Sequence, residues 1–163
     1  MTGEDQDLSW RGLLYGYRHF LSARALTYHY YQFGRHRLNK YREEKNRLTM
    51  ILKNYSCPTL MFLAPVFLIT ELGIVLFSLF EGWFFLKVKG YFLVLVGLSN
   101  ILSKRRKIQK ARKINDRQLL PLFQSTIQFA PIDNFVIKYL ANPVYWLYYR
   151  LLLLFLKLSL PDR

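Results

Sequence analysis

A mainly α-helical chain attached to a membrane is the fold class this sequence predicts, and two segregations predict it. Apolar residues gather at 59–102 and 144–160, whereas basic residues gather at 35–53 and 104–113. The 163 residues are 52% hydrophobic and carry a formal net charge of +14, yet the mean hydropathy is only +0.06 because the two populations offset each other. Apolar runs with Lys- and Arg-rich flanks are the pattern of a membrane protein whose basic loops stay on the cytoplasmic side. Nucleic-acid binding fits less well, because no RNA- or DNA-binding motif accompanies the charge.

Residues 4–15 predict a short helix. Glu4, Asp5 and Asp7 suit a helix N-terminus, Leu8, Leu13 and Leu14 supply apolar contacts, and Gly16 stops it. The aromatic-rich stretch 17–33 predicts one or two short strands around Ser22 and Ala23. Residues 39–54 predict a second helix with Tyr41, Leu48, Ile51 and Leu52 on its apolar side, ended by the Tyr55–Pro58 break.

The run 59–80 is long enough to span a hydrocarbon core, although it contains Pro65 and Glu71. A second apolar stretch reaches Leu102, and its uninterrupted part, 90–102, is short for a full span. A membrane hairpin with its loop near Gly82 is the favoured reading, and two helices lying in the interface are the rival. Lys87 and Lys89 would snorkel towards the head groups. Seven of the ten residues at 104–113 are basic, which keeps that end on the cytoplasmic face and suits anionic lipid. Residues 144–160, with Arg150 and Lys157 among apolar neighbours, predict an interfacial helix or a short third segment. The organisation expected is therefore 1–56, a membrane hairpin at 57–103, and a basic segment with an apolar helix at 104–163. Cys57 is the only cysteine, so the chain forms no internal disulfide and no cysteine metal cluster.

Three of the ten carboxylates fall within residues 4–7, immediately before Trp10 and Arg11. Glu4-Asp5, then Asp7-Leu8, Arg11, Gly16-Tyr17 and His29 follow one another in an order that resembles the end of the catalytic domain of family 2 glycosyltransferases, which have the GT-A fold. The following "YREEKNRLTMILKNYS" is similar to the Glu-Arg-Asn-Arg-Leu helix and Lys-Asn-Tyr ending of the membrane-associated members, with Lys45 in place of an arginine. The match covers about residues 3–56; the apolar remainder resembles the family only in layout.

The resemblance implies the C-terminal fragment of a GT-A α/β domain that transfers a sugar from a nucleotide sugar to a glycan or lipid-linked acceptor at the inner or cytoplasmic membrane. It implies Asp5 as the general base that takes the acceptor hydroxyl's proton, with Glu4 shaping the site beside it. Asp7 would cap or orient the helix at the edge of the substrate-binding set, and Arg11 would pair with an acid or with donor phosphate. His29 would join a divalent metal, Mg or Mn, on the donor diphosphate. Trp10 packs or stacks on acceptor, and Arg47 serves the site or a solvated helix face. Each acid also has a plain reading as a helix-terminal charge. The nucleotide-binding βαβ portion, with an Asp-x-Asp motif of its own ahead of the acidic pair, is not in this sequence, so the chain alone is expected to lack a donor site. The competing reading is a small non-catalytic membrane protein that docks lipid or a partner through its basic segments.

Overall fold

A computed structural model describes residues 3–20, 22–28, 36–128 and 135–159, with the side chains of 36–38 left aside. Among the described residues the regular elements are all helical: α1 (Glu4–Leu14), α2 (His36–Asn54), α3 (Cys57–Phe80), α4 (Phe84–Val96), α5 (Leu98–Ala111), the single turn α6 (Asp116–Leu119) and α7 (Asn142–Ser159). The short strands expected around Ser22 and Ala23 are not there. Residues 17–20 and 22–28 run as irregular backbone, and 29–33 lie outside the described residues. The α/β part of the fold expectation is thereby corrected to an all-helical one. The reason is physical: aromatic and β-branched residues favour a pleated surface only where a neighbouring strand supplies the ladder, and none of the described residues offers one.

Helix α1 ends as its glycine predicts. Gly16 has φ +83, and the Tyr17 and Gly16 amides donate to Gly12 and Leu13 carbonyls at 2.9 and 2.8 Å. That is a Schellman closure, which needs a left-handed residue just past the helix.

The chain divides into two compact units. One comprises Met1–Asn54 and Glu71–Lys113 and holds α1, α2, the last turns of α3, α4 and α5. Its buried apolar residues include Leu14, Leu48, Val94, Ile101 and Ile108. Helix α4 lies closely along α2 because it has a glycine at the crossing. A Cβ on Gly90 would sit 3.0 Å from Glu44 Cβ and 3.1 Å from the Tyr41 carbonyl oxygen. The other unit, Tyr55–Thr70 and Ile114–Arg163, packs Leu120, Leu152 and Leu156 with Phe62, Leu63 and Phe155.

Helix α3 is long and apolar enough to cross a membrane, and few of its residues are buried by the rest of the chain. Its 24 residues extend about 36 Å, more than the roughly 30 Å hydrocarbon core. The 13 residues of α4 extend only about 20 Å. Helices α4 and α5 reach spanning length only as a pair, and they are bent by 65° at Gly97.

Candidate functional site

The polar residues of α1 and α2 form two clusters within the first unit. Asp7 stands at the centre of one. Its Oδ2 accepts from Lys53 Nζ at 2.7 Å and from Arg11 Nε at 3.0 Å, and its Oδ1 accepts from Asn54 Nδ2 at 3.2 Å. Arg11 is one helical turn along α1, whereas Lys53 and Asn54 end α2, so one carboxylate fastens the two helices together. Partial burial works to raise the Asp7 pKa. The hydrogen bonds from Lys53 and Asn54, with the charges of Lys53 and Arg11, outweigh burial and hold it below the usual aspartate value. The end of α2 is held from another side by α5: Arg105 donates to the Leu52 carbonyl, and Gln109 Nε2 donates to the Lys53 and Asn54 carbonyls at 3.1 and 2.9 Å. These are carbonyls that a helix end leaves without an intrahelical partner.

Asp5 is placed differently. It is exposed on the first turn of α1 and makes no hydrogen bond or ion pair with any described residue. Glu4 is exposed beside it, and Trp10 is half-buried on the same helix. Asp5, Glu4, Asp7, Trp10 and Arg11 therefore share α1 as the sequence order requires, but Arg47 belongs to the other cluster. His29 lies outside the described residues.

That second cluster joins α2, α3 and α4. Lys87 Nζ is fully buried, 2.7 Å from Glu44 Oε2 and 3.1 Å from Glu71 Oε2. Arg47 pairs with Glu44 at 2.8 Å and also with Glu71, and the Tyr91 hydroxyl donates to Glu71 at 2.5 Å. Two acids and two bases thus neutralise one another, with Lys87 fully buried between the carboxylates and Arg47 partly exposed at the edge. Lys87 does not snorkel as expected, because Glu44 and Glu71 meet it inside the unit. Lys89 is exposed and lies 4.3 Å over the Tyr41 ring. Burial works to lower the Arg47 pKa, but the Glu44 and Glu71 carboxylates outweigh it and raise it further. Sequence reading noted Glu71 and Arg47 separately and missed their partnership. The available signal was an acid inside the most apolar run, with a lysine sixteen residues on.

A cavity of about 270 Å³ opens between the start of α1 and the polar side of α2. Gly3, Gln6, Asn46, Arg47 and Met50 line it, with Glu43 and Glu44. In the second unit, Asp116 is fully buried and accepts from the Ser56 amide at 2.8 Å and the Thr59 hydroxyl at 2.6 Å, so it serves the first turn of α3. Sequence reading gave Asp116 no role. No group of three or more His, Cys, Asp or Glu among the described residues is arranged to hold a metal ion. His29, the one ligand that the resemblance implies for the divalent metal, lies outside the described residues. Compared with protein-family models, curated proteins and solved structures, the chain finds no significant match in any of the three.

Proposed function

We propose that this chain supplies the acceptor side and the membrane attachment of a family 2 glycosyltransferase. It would work with a donor-binding part of the kind that family has and move a sugar from a nucleotide sugar to a glycan or lipid-linked acceptor. The observation that carries the reading is the contrast between two acids on one helix. Asp7 is fully occupied in fixing α1 to α2. Asp5, two residues earlier, is an open carboxylate on that fixed helix. A general base has to be available to a substrate hydroxyl and held in a set position, and Asp5 has both properties. Glu44 and Arg47, within the stretch that resembles the family's helix, tie α2 to the apolar helices α3 and α4. That tie would keep the base at a constant height above the bilayer, where a lipid-linked acceptor presents its hydroxyl. Helix α3 would enter the membrane, and the charged cluster that joins α2 to α3 and α4 would lie at its surface, with α1 and α5 on the cytoplasmic side.

The test is reconstitution. Joined in frame to the donor-binding part of a family 2 enzyme, the chain is expected to release nucleoside diphosphate from one of a panel of nucleotide sugars when acceptor lipid is present. The chain by itself is expected to release none. Turnover by the chain alone, or an inactive but folded fusion with every donor and acceptor tried, would count against the proposal. The non-catalytic alternative keeps one observation in its favour, the exposed face of Lys104, Arg106, Lys107 and Lys110 on α5, which has no acidic partner among the described residues and needs no sugar chemistry to have a use.

A further inference from the structure

Helix α5 has two faces of different character. Ile101 and Ile108 are buried, and Arg105 and Gln109 lie beside them, both occupied with the carbonyls that end α2. On the rest of the helix Lys104, Arg106, Lys107 and Lys110 are exposed. Positions 106, 107 and 110 fall together on the side away from 101, 105 and 108, as the 100° step of a helix requires. None of these four cations has an acidic partner among the described residues, and α5 contains no Asp or Glu. Immediately before them the chain bends by 65° at Gly97, leaving the apolar α4, whose Phe92, Leu95 and Val96 are exposed. An apolar helix that turns sharply into a helix with an apolar inner face and a cationic outer face matches the boundary between hydrocarbon and head groups.

We propose that Lys104, Arg106, Lys107 and Lys110 form a head-group site for anionic phospholipid, with α5 lying along the membrane surface. Charge complementarity fixes the occupant. Four unpaired cations beside an exposed apolar helix fit an anionic lipid, whose phosphate meets the cations while its chains lie along α4. The inner face of the same helix closes the end of α2, so lipid bound outside and the α1–α2 junction inside share one support. This inference rests on the membrane reading above and not on sugar transfer, so either can fail without the other.

The test uses the full chain in detergent, titrated with phosphatidylglycerol or phosphatidylcholine, with bound lipid counted by native mass spectrometry. Each cation near an anionic surface changes affinity about fivefold. The chain is expected to bind phosphatidylglycerol at least about tenfold more tightly than phosphatidylcholine. The variant K104Q/R106Q/K107Q/K110Q is expected to lose that preference while keeping its helical circular dichroism. A control variant, R18Q/R24Q, removes two exposed cations elsewhere and is expected to keep the preference. Equal binding of the two lipids overturns the proposal. So does a preference that survives the quadruple substitution, or one that the control loses equally. Tight binding of a short RNA that the quadruple substitution abolishes would assign the face to nucleic acid and overturn it as well. Should the quadruple variant fail to fold, K107Q/K110Q carries the same comparison with a smaller expected loss.

Discussion

The Asp7 carboxylate lies 2.7 Å from the Lys53 ammonium, across 46 residues of chain, and it is the charged link between α1 and the end of α2. An acid that composition alone marks as a helix-terminal charge is thereby a tertiary contact.

Removing that charge is expected to loosen α1. Asp7→Asn keeps the side chain's size but takes away the ionic acceptor for Lys53 and Arg11. The expected loss is about 1–2 kcal/mol, given that the group is only partly buried. The pH dependence has a definite sign. The folded pKa lies below the unfolded one, so this contribution is complete above the usual aspartate pKa and is lost as pH falls through the lowered value. Hydrogen exchange of the α1 amides checks both statements: exchange should rise in the variant, and in the parent chain only below about pH 4. Unchanged exchange in the variant would show that Lys53 and Asn54 do not hold the helix.

A larger effect is expected at Lys87. Lys87→Met leaves Glu44 and Glu71, both mostly buried, with the partly exposed Arg47 as their remaining cation in the cluster. Breaking a buried pair on one side costs about 3–5 kcal/mol, so the detergent-solubilised chain should melt well below the parent. Gly90→Ala should act in the same direction by pushing α4 off Glu44 and Tyr41. A parent-like melting temperature for Lys87→Met would mean that the cluster is hydrated.

Asp116→Ala removes the acceptor for the Ser56 amide and the Thr59 hydroxyl. The expected cost is about 1–2 kcal/mol, the usual size of a lost helix cap. Protease cleavage near Ser56 should quicken in that variant; no change there would remove Asp116 as the cap of α3.

Parts of this molecule could be read from the sequence because they depend on neighbours along the chain. The apolar run that became α3, the Gly16 stop and the acidic start of α1 are of that kind. The strands around Ser22 were misread because β-propensity reports a fit to a sheet, and the described residues contain no sheet to join. Lys87 was read as a snorkelling residue because its partners, Glu44 and Glu71, are 43 and 16 residues away. The role of Asp116 was hidden for the same reason, since Thr59 lies 57 residues before it. Of the expected site residues, the α1 group could be placed together from spacing alone. Arg47 needed the fold to show that it belongs with Glu71.

Membrane attachment is expected to be through α3. The expressed chain should stay with membranes through carbonate and high-salt washes and leave with detergent. Release by salt alone would make the apolar face of α3 a contact with another protein instead.

The most direct test of the account compares Asp5→Asn with Asp7→Asn in an active fusion to a donor-binding part. General-base catalysis contributes about 10²–10⁴-fold, so Asp5→Asn should lower kcat by that order, leave nucleotide-sugar binding nearly unchanged and keep the parent's melting temperature. Asp7→Asn should instead lower the melting temperature while its remaining folded fraction turns over at a rate close to the parent's. Near-parental kcat in a folded Asp5→Asn enzyme would contradict the account and leave Asp5 as a helix-terminal charge.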